Sequence, residues 1–237
     1  MLSLLQMRII VCNYKLPRHN YGKQARRFVR KRNKPAFVIC CKGEMPMKES
    51  ELLAELVSCI AFYGHLCPGL IIGYQAVRAA LPRLRKGRAR DEELVCITMT
   101  DSCAIDAIQL LTGCTAGKGN LLFRDFGKMV FLFLRRGRGA KARGVRLAMR
   151  PKILRRPPGT TTPADREAAA AALLAVPPEK LFTIRAVTDY SIPGRARIFP
   201  SQPCAACGEL TMEPRLRVEN GKMLCAECAP EPYTRGW

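Results

Sequence analysis

Two cysteine pairs near the C-terminus, Cys204-Ala-Ala-Cys207 and Cys225-Ala-Glu-Cys228, stand 17 residues apart. Four thiolates at this spacing complete a tetrahedral site whose usual occupant is zinc, iron being chemically compatible. The Gly-Glu-Leu after the first knuckle and the Asn220-Gly221 before the second fit a β-ribbon, because Asn-Gly favours a tight hairpin turn. A segment this short, with little apolar content, needs a metal to fold. Four protein ligands leave no position open for catalysis, so the zinc would be structural.

A second set of reactive side chains comes earlier. The stretch YGHLCPG (63–69) holds His65, one of only two histidines, with Cys67 two positions on and set against Pro-Gly. Cys103 and Cys114 follow in SCAIDAIQLLTGC. Pro68 suits the first turn of a helix, where its missing N–H would be unpaired anyway, so Cys67 should precede a helix. Cys103 should lie in the first turn of another. Both thiols would then feel the positive end of a helix dipole and free backbone N–H groups. These favour thiolate, the form that ligates metal or attacks an electrophile. His65 is a candidate ligand through either ring nitrogen, or a base toward Cys67. Asp101 and Asp106 are placed to orient a ligand from behind. His65, Cys67 and Cys103 thus form a candidate core metal site or a nucleophile with its base. Plain packing is the alternative, since buried cysteines are common and His-x-Cys has no established metal spacing. No reaction follows from the residues.

The segment TGCTAGKGN (112–120) resembles a phosphate loop but fails its spacing. Three residues rather than four separate Gly113 from Gly117, and a glycine rather than Ser or Thr follows Lys118. Cys114 and Lys118 remain candidates for holding an anionic cofactor through charge and backbone N–H groups, with a tight connection as the alternative.

These residues need elements to position them. Leu52, Leu53, Leu56, Val57 and Ile60 mark one face of a helix ending near Tyr63-Gly64. A second helix from Pro68 carries Leu70, Tyr74, Val77 and Leu81 as its apolar stripe. Gly69 and Gly73, four apart, would admit another backbone closely. PRLRKGRARDEE reads as a charged loop, and LVCITMT (94–100) as a buried strand. Asp101 is a candidate cap for the next helix, with Gly113 as its stop. LLFRDF, MVFLFL and GVRLAM read as strands. PADREAAAAALLA is a helix with Thr162 or Asp165 at its start, and LFTIRAV is a strand. SIPGRARIFPSQP reads as an irregular linker. The mixed order predicts an α+β fold with a mixed or antiparallel sheet, plus the small C-terminal ribbon.

The 237 residues suffice for one core and an appendage. No run reaches the ~18 uncharged apolar residues of a bilayer span, and the N-terminus lacks a secretory pattern. A cytoplasmic protein is expected, in which 12 cysteines ligate, react or pack rather than form disulfides. The net charge is +21, and residues 1–47 supply +10 of it, from 11 Lys/Arg and one acid. That segment reads as a disordered extension or a misassigned start, with a nucleic-acid-binding arm as the functional alternative. Residues 135–156 hold ten Lys/Arg and no acid, so a basic surface for nucleic acid is a second expectation.

FYGHLCPGLIIGYQA, TDSCAIDAIQLLTGCTAGKGNLLFRDFGK and CAACGE…GKMLCAEC together resemble the FmdE-like family, named for formylmethanofuran dehydrogenase, over about Glu49 to Ala229. The resemblance implies an α+β core with a C-terminal zinc finger and an intertwined homodimer. It also implies a His/Cys cleft mapping onto His65, Cys67 and Cys103, with Cys114 and Lys118 around it. The expected organisation is an extension (1–47), an FmdE-like core (48–198) and a zinc ribbon (199–237). The expected function is a metal-binding accessory or redox-linked protein of one-carbon or molybdenum/tungsten formylmethanofuran dehydrogenase-type metabolism. Zinc would fill the ribbon, and a second metal could fill the cleft. Its protein partner would be a redox or molybdenum/tungsten enzyme. A zinc-ribbon regulator binding nucleic acid or protein, and a thiol-dependent enzyme, are the alternatives.

Overall fold

A computed structural model describes residues 49–137, 141–151, 153, 162–192, 194–195 and 198–230. The basic segment 1–47 lies outside them. The chain divides into two compact units, Met1–Pro193 and Gly194–Trp237.

The first unit opens with α1 (Glu49–Tyr63), which buries Leu56 and Cys59 and ends where Gly64 takes a positive φ of 105°. Next, α2 (Pro68–Leu84) is the buried central helix. Its residues 70–77 are covered almost all round, so the expected stripe of Leu70, Tyr74 and Val77 is only part of what it packs. It also runs further than the charged segment suggested: Pro82 sits inside its last turn and Arg85 closes it in a left-handed conformation. Gln75 fixes a neighbour to this helix. Its Nε2 donates to the carbonyls of Leu173 (3.3 Å), Leu174 (3.1 Å) and Val176 (2.9 Å). These close the C-terminal end of α4 (Pro163–Leu174), whose N-terminus carries a capping box between Thr162 and Asp165.

The remaining elements are β1 (Leu94–Thr98), α3 (Ala104–Thr112), β2 (Leu121–Phe123), β3 (Val130–Arg136), β4 (Lys141–Met149), the single turn α5 (Pro178–Leu181) and β5 (Phe182–Ser191). The five strands form one mixed sheet in the order β2-β1-β3-β4-β5. Only β1 and β2 are parallel, joined over α3 as a parallel pair requires. Cys96, Phe131, Phe133, Val145 and Leu147 face the helices and share one core with α1–α4. By the alternation of strand residues, Val95, Ile97, Val130, Leu132 and Leu134 form a second cluster on the opposite face. This is the expected α+β architecture with a mixed sheet.

The second unit holds β6 (Ser201–Pro203), β7 (Leu210–Met212), a 3-10 turn (Glu213–Arg215), β8 (Arg217–Glu219) and β9 (Lys222–Leu224). β6 therefore claims the end of the expected linker. β8 and β9 pair around Asn220 and Gly221, both at positive φ (49° and 76°), the hairpin geometry that Asn-Gly favours. Among the described residues, no helix is long and apolar enough to cross a membrane.

Candidate thiol centre and zinc ribbon

The start of α3 lies on α2 because α2 has glycine where the two meet. A Cβ on Gly73 would collide with the Ala104 carbonyl, and one on Gly69 would collide with the Cys103 sulfur. The chain between β1 and α3 is held by its own hydroxyls rather than by Asp101. Thr98 Oγ1 donates to the Thr100 carbonyl (2.6 Å), and Thr100 Oγ1 accepts from the Ser102 N–H (3.2 Å). Ser102 Oγ also reaches Met129 Sδ (3.5 Å). The residue preceding α3 is Cys103 itself, and its side chain makes no cap bond. The signal for this turn was present in the alternating Thr98, Thr100 and Ser102.

Cys67, in extended conformation, caps α2 by accepting the Leu70 N–H (3.4 Å). Its thiol donates to the Cys103 sulfur at 3.4 Å. The two sulfurs, 36 residues apart in sequence, thus meet where two helices begin. They are not equivalent: Cys67 is buried and Cys103 is partly exposed. The Cys67 donor lowers the Cys103 pKa to about 6, against the effect of burial and with further help from the Tyr63 hydroxyl. Cys67, as the donor, is pushed up, and burial adds to the rise. Tyr63 is raised first by burial and then by its bond to Cys103. The arrangement favours ionisation of Cys103 over Cys67.

His65 is exposed and lies against the Tyr63 ring, with centroids 4.6 Å apart. Among the described residues, the only set of three or more metal-ligating side chains whose donor atoms come within 4.8 Å is the ribbon quartet, so the imidazole is not gathered with the two sulfurs. Cys114 sits at the far end of α3, about 14 Å along a nine-residue helix. It is buried near Cys96, and burial raises both thiols. Lys118 Nζ reaches the Arg90 carbonyl (3.5 Å). Asn120, buried, ties the glycine loop to itself and to the chain entering β1: it accepts from the Thr115 N–H (2.9 Å) and donates to the carbonyls of Asp91 (3.2 Å) and Leu94 (3.0 Å). The loop is a stapled connection between α3 and β2.

In the ribbon, Sγ of Cys204 accepts from the backbone N–H of Cys225 (3.2 Å) and of Ala206 (3.5 Å). Backbone donors, that of Cys207 foremost, lower its pKa to about 6. Ala205 N–H donates to the Met223 carbonyl (2.8 Å), linking the two knuckles. Cys207 and Cys225 are 4.0 Å apart. Tetrahedral zinc with Zn–S of ~2.3 Å requires sulfurs ~3.8 Å apart, so the donor set fits zinc.

Two family models match the chain. The first, over residues 62–183, is FmdE, described as the molybdenum formylmethanofuran dehydrogenase operon family. The chain belongs to the FmdE family. The second, over residues 197–233, is the prokaryotic dksA/traR C4-type zinc finger, so this FmdE member carries a C-terminal zinc-binding module. A probable S-adenosyl-L-methionine-binding protein of Archaeoglobus fulgidus is 31% identical over 209 residues, which cover 78% of this chain and 55% of that protein. The chain therefore spans about half the length of the curated relative it matches. An FmdE-like protein of the tungsten formylmethanofuran dehydrogenase type, from Syntrophus aciditrophicus, superimposes with a TM-score of 0.55 at 21% identity, covering 83% of this chain and all of that one. At that identity the likeness shows the fold.

Proposed function

We propose that this FmdE-family protein is a zinc-braced accessory protein of formylmethanofuran dehydrogenase-type one-carbon metabolism, in which Cys67 and Cys103 form a redox-active dithiol. The observation that carries the reading is the 3.4 Å contact between a partly exposed sulfur and a buried one. Cys103 thiolate attacks one sulfur of a substrate disulfide. The substrate S–S bond breaks, and its other half leaves as a thiolate that takes a proton from solvent. The buried Cys67 then loses its proton to solvent and attacks the Cys103 sulfur of the mixed disulfide, releasing the second half as a thiolate that also takes a proton from solvent. Two electrons pass to the substrate, which becomes two thiols, while the pair becomes one disulfide. The partner would be a redox or molybdenum/tungsten enzyme, and the working form a cytoplasmic homodimer.

Anaerobic protein is equilibrated against mixtures of oxidised and reduced glutathione and its peptides are mapped. The reading expects a Cys67–Cys103 disulfide that forms and reverses with the buffer, and a mixed disulfide trapped on Cys103 in Cys67→Ala. Failure of either thiol to exchange refutes it. A second reading uses the same two sulfurs as ligands for a soft metal, the remaining positions being filled by His65 or a bound molecule. Elemental analysis separates the two: the dithiol expects one zinc per chain, whereas the metal reading expects a further equivalent that Cys103→Ser removes.

A further inference from the structure

Among the described residues of the first unit, three ion pairs form, and Arg135 and Arg143 take part in none of them. Arg83 pairs with Glu179 (3.0 Å), Arg136 with Glu92 (3.5 Å) and Lys141 with Asp189 (3.0 Å). Arg135 and Arg143 are exposed and have no acidic partner among the described residues. They are also direct cross-strand neighbours in the β3–β4 ladder. Like charges facing each other there are destabilising.

Their setting is concave. By strand alternation Arg135 and Arg143 share the face of Phe131, Phe133, Val145 and Leu147, which the helices cover further along. At the C-terminal end of α2 that cover stops and the face opens into a hollow of about 840 Å³, lined by both arginines together with Arg83, Arg136 and Lys141. The only carboxylate among the described residues of the lining is Asp189, which Lys141 already holds. Gly144 is part of the wall. A Cβ there would strike the Phe133 carbonyl, and the β4–β5 register slips between Ala142 and Gly144, beside Arg143.

We infer that this hollow binds a small ligand carrying two or more linked phosphate groups. Two unpaired guanidinium forks side by side offer paired donors to neighbouring phosphoryl oxygens, the geometry at which arginine excels. A nucleic-acid strand fits the observations less well. The described arginines of the basic stretch do not all share one face: Arg146, paired in register with Arg185, lies by alternation on the opposite face of the sheet from Arg143. Arg150 is separately engaged, its Nε donating to the Phe182 carbonyl (3.2 Å). Among the described residues, the lining offers no aromatic ring on which a base could stack. Among the described residues of the basic stretch, Arg143 and Arg146 thus lie on different faces of the sheet. This inference is independent of the thiol centre.

The test is calorimetric titration of the full zinc-loaded chain with inorganic tripolyphosphate, with orthophosphate and a single-stranded oligonucleotide as comparison probes. The expected result is saturable tripolyphosphate binding near one per chain, far tighter than orthophosphate. Arg135→Gln and Arg143→Gln should each weaken it about tenfold or more, as loss of charge-assisted bonds implies. Arg146→Gln, on the other face, should leave it within about twofold, and thermal melts should show all three variants folded. Three results overturn the inference: no saturable binding at low ionic strength, an equal loss in Arg146→Gln, or oligonucleotide binding that exceeds tripolyphosphate binding. The last two would mean a diffuse basic surface.

Discussion

Removing the Cys67 thiol should make Cys103 a less acidic and, below neutral pH, a less reactive group. In the wild type the Cys103 pKa is about 6. At pH 6 about half of it is ionised, against about 0.3% of an ordinary thiol of pKa about 8.5, a ratio of about 160. Lower basicity costs nucleophilicity: a Brønsted slope of about 0.45 over about 2.5 pH units removes about thirteenfold. Cys103 should therefore react with iodoacetamide about ten times faster than an ordinary thiol at pH 6, the two rates meeting near pH 7.5. Replacing Cys67 with alanine deletes the largest cause of the depressed pKa. A hydrogen bond to a charged group contributes about 1.5–3 kcal/mol. Water can replace part of it at a partly exposed sulfur, so the midpoint should rise by about one pH unit. Tyr63→Phe should produce a smaller rise, its hydroxyl being the lesser donor, and His65→Ala none. The assay is the pH profile of alkylation at Cys103, followed peptide by peptide by mass spectrometry on zinc-loaded protein. Thermal melts accompany it, because Cys67→Ala also removes the acceptor for Leu70 N–H, at about 1 kcal/mol. A wild-type midpoint of about 8.5, or one that Cys67→Ala leaves in place, refutes the reasoning.

Gly69→Ala and Gly73→Ala both force α3 away from α2 and should each cost about 1–3 kcal/mol in urea denaturation. Gly69→Ala, whose Cβ meets the Cys103 sulfur itself, should in addition raise the Cys103 alkylation midpoint. Thr162→Ala breaks the capping box of α4 and should cost about 1 kcal/mol, seen as a lower melting temperature, with the alkylation profile unchanged. Removing zinc with a strong chelator should expose residues of the 198–230 region to protease while leaving the first unit resistant, since a ribbon this small folds on its metal; equal protection with and without metal would show that the ribbon holds without it.

The zinc ribbon was legible in the sequence because its information is local. Four cysteines in two knuckles and an Asn-Gly turn state both the ligands and the hairpin that presents them. The helices were legible for the same reason, through apolar periodicity and stop residues such as Gly64 and Gly113. The error at Asp101 was also local: several hydroxyls competed for one turn, and only geometry shows that Thr98, Thr100 and Ser102 take it. Cys67 and Cys103 could each be placed at the beginning of a helix from the sequence, and the family resemblance joined them in one cleft. Which residues actually meet was decided in three dimensions, by how closely two glycines on α2 let α3 approach. That packing brings Cys103 onto Cys67, leaves His65 against the Tyr63 ring and apart from the two sulfurs, and carries Cys114 to the other end of the helix. The same holds for the arginines. Their number is plain in the chain, but β-strand alternation and pairing register sort them between two faces of the sheet, and Arg135 and Arg143 end side by side with no ion pair of their own among the described residues. A one-dimensional pattern fixes which side chains an element carries; contacts between distant elements depend on the packing that decides how near those elements can come.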